Sequence, residues 1–187
     1  MNSTPSTLEF ALAGLLRFQP QSGYDLRKSF ATTALRHFSD SPGSIYPALK
    51  RLQVRSWIEV DTAAAPNPPS ARGRTVYRIT GQGTDALLAW LTLPVTRDDI
   101  IWRSQELMLR FAFFDGNIPR AATLRFLDQF IQALAAYLAE LGPGFERMAA
   151  AGPVHTGLLA FQSGIEGMEA QLTWARRARA LLAENSQ

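Results

Sequence analysis

Apolar positions in the first half of the chain recur at the spacing of short helices. The segment Leu8–Leu16 is nearly all apolar, and its alanine and leucine content favours a helix over a buried strand. Residues 20–23 read as a turn. A second helix is predicted over Tyr24–Phe30, with Ser22 in position to cap it. The two helices and their turn form the first part of a helical unit.

A third helix is predicted over residues 41–55, with an apolar back and a polar front. Ile45, Leu49 and Leu52 recur at helical spacing and define one buried face. The remaining surface carries hydroxyl groups and cations, on Ser44, Tyr46, Lys50 and Arg51. Such a helix can enter a DNA major groove N-terminus first, with its small residues close to the bases and its cations near phosphates. The pattern equally fits an amphipathic surface helix.

The start of this third helix is open between two positions. Ser41 can cap it with Pro42 in the first turn, where a proline loses no intrahelical hydrogen bond. Pro47 would then lie in the helix interior and remove one backbone bond. If Ser44 is the cap instead, Pro47 falls in the first turn at little cost.

A strand-like segment follows a proline- and alanine-rich stretch. Residues 75–80 alternate between apolar and polar side chains, and with residues 57–60 they predict a β-hairpin. Its long tip, residues 61–74, carries Arg72 and Arg74. The second and third predicted helices, joined by a connection and with the latter basic in front, describe a helix-turn-helix. Followed by such a hairpin they predict a winged helix, whose wing arginines would contact a phosphate backbone or a minor groove. The alternative is a solvated loop.

Residues 80–86 match G-x-G-x-x-A, the dinucleotide-binding fingerprint. That fingerprint belongs to a βαβ unit, and no returning apolar strand follows it here. Thr80 as the cap of another helix explains the segment more simply. The sequence therefore predicts no cofactor.

The second half of the chain is predicted to be helical. One helix is expected at residues 98–114, a second runs from Pro119 to Leu141 and is interrupted at 142–144, and a third covers about 155–184. The last would be about 45 Å long, and its broad apolar stripe predicts burial against a partner, by default in a symmetric homodimer. The predicted fold is mainly α with a small β wing: a winged helix-turn-helix domain at residues 1–92 and an α-helical dimerisation and effector domain at 93–187.

Composition and charge narrow the functional classes. The 187 residues are 47% hydrophobic and include no cysteine and two histidines, so we expect a globular protein without disulfides or a metal site. No apolar run suits a membrane span or a secretory signal, so a soluble cytoplasmic protein is expected. Residues 1–92 hold ten Lys and Arg against six Asp and Glu, whereas residues 93–187 hold nine against ten. This basic excess lies where a DNA-binding domain would carry it.

Catalytic motifs are missing from the sequence. It contains no G-x-S-x-G, no P-loop and no H-E-x-x-H, and two isolated histidines offer little general acid–base capacity. We therefore do not expect an enzyme.

Three blocks of sequence resemble the PadR family of bacterial transcriptional regulators. They are Ser-Gly-Tyr-Asp-Leu at 22–26, Ser-Pro-Gly-Ser-Ile-Tyr-Pro-Ala-Leu-Lys-Arg-Leu at 41–52, and Tyr-Arg-Ile-Thr at 77–80 with Gly83. The resemblance is close over residues 8–92 and is one of pattern beyond them. The chain departs from the family in its proline- and alanine-rich wing and in having Val54-Arg55-Ser56 where an acidic-glycine turn is common.

The resemblance implies a dimeric winged-helix repressor that binds double-stranded DNA at a near-palindromic operator and is released by a small molecule. The resemblance and the small and basic residues of the third helix together give one set of candidate DNA contacts. They are Tyr24, Ser41, Gly43, Ser44, Tyr46, Lys50, Arg51, Arg72 and Arg74. A winged-helix protein-interaction module without specific DNA binding is the alternative function, which the presence of Tyr46 and Lys50 disfavours.

An effector would bind between the two halves or at the dimer interface, where flat apolar side chains and a cation could hold an aromatic or phenolic acid. The candidate walls are Trp57, Trp90, Trp102, Phe111, Phe113 and Trp174, and Arg103 or Arg110 could pair with a carboxylate. The alternative is that these aromatic residues are plain core.

Overall fold

A computed structural model of the protein describes residues 4–32, 42–62 and 75–184. The chain divides into two compact units, Met1–Thr92 and Leu93–Gln187. The first unit contains α1 (Thr7–Phe18), β1 (Gln21–Ser22), α2 (Gly23–Thr32), α3 (Pro42–Val54), β2 (Ile58–Val60), β3 (Val76–Ile79) and α4 (Gly81–Leu91). The second contains α5 (Arg97–Trp102), α6 (Ser104–Ala112), α7 (Arg120–Ala150) and α8 (Thr156–Glu184). The predicted fold class, mainly helical with a small sheet, is confirmed.

The strands of the first unit form one antiparallel sheet in the order β1-β3-β2. Ile58 lies opposite Ile79 and Glu59 opposite Arg78, as predicted for the two strands of the hairpin. The sequence predicts a turn at β1, but two of its residues pair with β3. A two-residue strand is too short to show alternating apolar and polar side chains, so only the tertiary pairing reveals it. Element order and sheet are those of a winged helix, and the hairpin tip with Arg72 and Arg74 lies outside the described residues.

The core of the first unit forms around α1, which packs against α3, α4 and β3. Burial removes apolar surface from water and is the main source of stability for such a small unit. The largest fully buried side chains there are Leu12, Leu26, Phe30, Ile45, Leu49, Leu52, Leu87 and Leu91. The three residues predicted to form the back of the third helix are all in this set.

α3 begins at Pro42, so the first of the two predicted starts is the one adopted. Pro47 lies inside the helix, where it removes one backbone bond. Ser44 is therefore a residue of the first turn and not the cap. Ser41, the other candidate cap, lies outside the described residues.

Thr80 caps α4, as predicted, and the glycine-rich segment is the first turn of that helix. The Thr80 hydroxyl accepts a hydrogen bond from the backbone N–H of Gly83 at 3.1 Å and donates one to the carbonyl of Ser56 at 2.7 Å. A Cβ on Gly83 would lie 2.1 Å from the carbonyl oxygen of Trp57. Glycine is needed here because the helix backbone touches the backbone that leads into β2.

The single helix predicted over residues 98–114 is wrong, since the chain breaks at Arg103 into α5 and α6. Thr96 and Asp99 form a reciprocal capping box that begins α5. The same carboxylate of Asp99 accepts a bond from Nε of Arg103 at 2.7 Å, and the Asp99 carbonyl accepts from the Arg103 backbone N–H at 2.9 Å. α5 ends after six residues because the backbone of Arg103 leaves helical values, at φ −134° and ψ 26°, although the apolar spacing continues across the break.

The interruption predicted at residues 142–144 is also wrong, because α7 continues through Pro143 to Ala150. A proline removes one intrahelical bond, which packing elsewhere along the helix can offset. Beyond Pro143 the helix stays packed on α8, where the rings of Phe145 and Phe161 meet edge to face with centroids 5.8 Å apart.

The long last helix, α8, agrees with the prediction and packs along α7 of its own chain. Leu158, Leu172 and Ala175 are buried, whereas Leu159 and Leu181 are half-exposed. Part of the predicted stripe is therefore covered within the unit and part is not. Among the described residues, no helix is long and apolar enough to cross a membrane.

Candidate nucleic-acid interface

The front of α3 is exposed along its length while its back is buried. Gly43, Tyr46, Pro47 and Lys50 face solvent, at the spacing of one helix face. Tyr46 is 54% exposed although it is a large aromatic residue. An exposed stripe of small, hydroxyl-bearing and cationic side chains on a firmly anchored helix is suited to contact a phosphate backbone.

α2 and α3 share this surface through a close contact at Gly23. A Cβ on Gly23 would lie 2.7 Å from Cε1 of Tyr46, so the tyrosine ring lies directly over the start of α2. Next to Gly23, Tyr24 is exposed, and the Arg27 guanidinium lies 5.3 Å from the centre of the Tyr24 ring. We call Tyr24, Arg27, Gly43, Tyr46 and Lys50 the helix-turn-helix surface.

Ser22 caps α2, as predicted, in a reciprocal box with Asp25. The Asp25 backbone N–H donates to the Ser22 hydroxyl at 3.2 Å, and the Ser22 N–H donates to the Asp25 carboxylate at 3.3 Å. The cap engages the one carboxylate at the start of α2, where a negative charge also favours the helix dipole.

The sequence-predicted DNA contacts are placed unequally. Tyr24, Gly43, Ser44, Tyr46 and Lys50 lie on or beside the helix-turn-helix surface. By contrast, Nε of Arg51 donates to the Glu9 carboxylate at 3.1 Å, so its guanidinium is directed to α1. The other three predicted contacts, Ser41, Arg72 and Arg74, lie outside the described residues.

In the first unit, the two predicted effector residues Trp57 and Trp90 pack on Phe10. The rings of Phe10 and Trp90 are stacked with centroids 4.5 Å apart, and Phe10 and Trp57 are 5.5 Å apart. Trp90 is buried and Trp57 is half-buried. Within this unit both tryptophans have a structural role.

In the second unit, Arg110 is buried beside a group of aromatic rings. It donates to the carbonyl of Leu93, and its guanidinium lies 5.3 Å from the centre of the Phe126 ring. Burial lowers the pKa of Arg110. Phe111 meets Trp174 edge to face at 5.5 Å. This unit therefore brings a cation and aromatic walls together.

Two other predicted effector residues of the second unit, Trp102 and Arg103, lie at its surface. Trp102 is 80% exposed. The hydrogen bond and charge of Asp99 raise the pKa of Arg103, which is already committed to that carboxylate. Burial alone would raise the pKa of Asp99, but the bonds from Thr96 and Arg103 outweigh it and lower the pKa. Phe113, named with them, is a buried core residue.

Comparison with known proteins identifies the family. A family model described as "Transcriptional regulator PadR-like family" matches residues 12–89. The chain is 30% identical over 152 residues to the "Negative transcriptional regulator PadR" of Bacillus subtilis, covering 79% of this chain and 78% of the relative. The chain belongs to the PadR-like family of transcriptional regulators.

Solved structures of Bacillus subtilis PadR also match this PadR-like regulator along nearly its whole length. The complex with operator DNA is 23% identical, covers 96% of this chain and 99% of its own, and gives a TM-score of 0.44. The complex with p-coumaric acid is 22% identical, with a match over 95% of this chain and 99% of the solved chain, and gives a TM-score of 0.42.

Family membership makes the chain a regulator of transcription and not an enzyme. The matched residues 12–89 include every member of the helix-turn-helix surface. Sequence reasoning named all of these members except Arg27, whose signal is a cation three residues after Tyr24 on the same helix face. Over the described ranges, no group of three His, Asp or Glu side chains could hold a metal ion.

Proposed function

We propose that this PadR-like regulator is a homodimeric repressor that binds a specific DNA operator through the helix-turn-helix surface. The exposed front of α3, held on a fully buried back, is the observation that carries the proposal. The Tyr24 and Tyr46 hydroxyls and the Arg27 and Lys50 cations are donors to phosphates. Gly43 leaves the start of α3 narrow enough to approach base edges, as a recognition helix requires.

The two compact units support a separation of DNA binding from dimerisation and effector binding. In the proposal, residues 1–92 are the DNA-binding domain and residues 93–187 the dimerisation and effector domain. The half-exposed Leu159 and Leu181 on α8 are apolar surface that a second copy would cover. A two-fold dimer presents two copies of α3, which predicts a near-palindromic operator. Binding to chromosomal DNA would place the protein in the bacterial cytoplasm.

Repression and release are proposed from the Bacillus subtilis relative. That protein is named a negative transcriptional regulator, and its structures were determined with operator DNA and with p-coumaric acid. In this chain, the buried Arg110 guanidinium could pair with the carboxylate of a phenolic acid, and Phe111 could contact its ring. Arg103 is a weaker candidate because Asp99 already holds it.

Three further contacts are proposed from the sequence pattern. Ser41 would donate to a phosphate at the start of α3, and Arg72 and Arg74 would contact the backbone or minor groove through the wing. The two arginines are the only cations of the segment 61–74, which supports their inclusion.

Binding of the full-length chain to the DNA just upstream of its own gene tests this function. The assay is run at two salt concentrations with random duplex as competitor, and then with added p-coumaric acid. We expect tight binding that weakens steeply with salt, survives the competitor and is reversed by the acid. Light scattering on the same sample should give twice the monomer mass. The proposal would be contradicted if random duplex displaced the protein from the upstream DNA and from every other genomic duplex tested. That result would favour a protein-interaction module.

A further inference from the structure

Glu9 is a buried carboxylate at the centre of a network that joins α1 to the end of α3. The residue is only 1% exposed. One carboxylate oxygen accepts from the backbone N–H of Ser6 at 2.7 Å and completes the cap of α1. The other accepts from Nε of Arg51 at 3.1 Å and lies 3.8 Å from Nε of Arg55. Every bond of this carboxylate holds either the start of α1 or the last turn of α3 and the residue beyond it.

This network separates two neighbouring cations of α3. Lys50 faces solvent on the helix-turn-helix surface. Arg51 follows it in the sequence, but its Nε is bonded to Glu9 although the side chain is 46% exposed. A carboxylate with so little contact with water needs such a partner, since an unpaired buried charge is strongly unfavourable. Nε of Arg51 is thus held by Glu9 inside the protein, whereas Lys50 remains available to a polyanion.

We propose that Glu9 is a positioning residue for DNA binding, and that Arg51 acts as its partner rather than as a phosphate contact. The inference rests on the proposed function and adds a determinant to it. Since α1 is the central helix of the unit, the pair Glu9–Arg51 fixes the C-terminal end of α3 against the core. The angle of α3, and with it the approach of Gly43 and Tyr46 to DNA, depends on this anchor.

The salt dependence of binding distinguishes the two cations. Each phosphate neutralised by a cation adds about 0.9 to the slope of log affinity against log salt. The probe is a duplex enriched from a random-sequence library by the wild-type full-length chain. Because the proposed dimer carries two copies of each residue, we expect Lys50→Gln to lower the magnitude of the slope by about 1.8 per dimer. Arg51→Gln should leave the slope unchanged and lower the melting temperature. A loss of slope in Arg51→Gln equal to that in Lys50→Gln would overturn the inference.

Glu9→Gln tests the positioning role itself. Without the carboxylate, α3 loses its anchor and Arg51 is released toward solvent. We expect the ratio of affinities for the enriched duplex and a shuffled duplex to fall by about tenfold, at the low end of what specific contacts supply. The magnitude of the salt slope should rise by about 1.8 per dimer, as each of the two Arg51 side chains gains a phosphate. A purely structural role would lower the melting temperature and move neither quantity in the folded variant.

The matched control is Glu140→Gln, which removes an exposed carboxylate that is paired with Arg97 in the second unit. This variant should leave unchanged both the ratio of affinities for the enriched and shuffled duplexes and the salt dependence of binding. A folded Glu9→Gln that behaves like this control would contradict the inference, and if Glu9→Gln does not fold, the Arg51→Gln comparison decides. Failure of the wild-type chain to select any duplex would instead contradict the proposed function.

Discussion

Ser56 is the one non-glycine residue of the described ranges with a left-handed backbone, at φ 58°. It lies in the turn between α3 and β2. Left-handed backbone costs a residue with a side chain about 1–2 kcal/mol. The cost is met here because the backbone of Ser56 is bonded on both sides, to the Gln53 carbonyl and to the Thr80 hydroxyl.

We therefore predict that Ser56→Gly stabilises the protein by about 0.5–1 kcal/mol, after the greater freedom of glycine in the unfolded chain is counted. Thermal unfolding of the two proteins measures the difference. The matched control is Gly116→Ala, since Gly116 has φ 71° and no neighbour to crowd a side chain. That variant should lose stability by a similar amount, and a stabilised Gly116→Ala would contradict the argument.

The ion pair between Glu9 and Arg51 shows why some single residues of the site escape sequence reasoning. The two are 42 positions apart, and Glu9 by itself reads as an ordinary first-turn acid of α1. Gly23 is similar, because its role depends on the ring of Tyr46 lying over it. By contrast, the exposure of Tyr46 and Lys50 follows from helical spacing alone.

At the scale of elements, the contact between α4 and the start of β2 gives a prediction for Gly83. Gly83→Ala forces a methyl group against the Trp57 carbonyl and should destabilise by about 3 kcal/mol or more. Gly81→Ala, two residues earlier in the same helix, meets nothing within 4 Å. It should be neutral or stabilise by up to about 1 kcal/mol. Denaturant unfolding compares the two, and equal effects would contradict the packing described for α4.

The capping box of α5 makes stability depend on pH through Asp99. Its pKa is lowered from 3.8 in the folded protein, so the stabilisation is present above the usual carboxyl pKa and is lost as the pH falls through the lower folded value. Asp99→Asn should lower the melting temperature at pH 7, and the difference from wild type should shrink below about pH 4. A difference that persists unchanged at pH 3 would contradict this role.

Helices with one buried face were predictable, and so were the bounds of α8, whereas the break between α5 and α6 and the end of α7 were not. α1, α2, α3 and α4 follow from apolar spacing and from the caps at Ser22 and Thr80. The break at Arg103 is a change of backbone conformation at one residue that does not disturb the apolar pattern. α7 continues through Pro143 because it packs against α8. The helix propensities of residues 142–144 carry no information about this tertiary contact.

At the scale of the whole molecule, the division into two units limits what each predicted effector residue can mean. Trp57 and Trp90 are explained by their stacking on Phe10 in the first unit. Arg110 and Phe111 combine a buried cation with aromatic walls in the second. Composition could name these residues, but only the packing within each unit separates core from candidate site.

The most direct test of the account is DNA binding by a variant in which two exposed side chains on the front of α3 are truncated to alanine. Tyr46→Ala combined with Lys50→Ala changes two exposed side chains and should leave the melting temperature nearly unchanged. Affinity for the enriched duplex should fall at least about 100-fold, since each hydrogen bond to a charged phosphate is worth about 1.5–3 kcal/mol. The salt slope should fall with it. Unchanged affinity and slope in the folded double variant would show that DNA is bound elsewhere and would contradict the central claim.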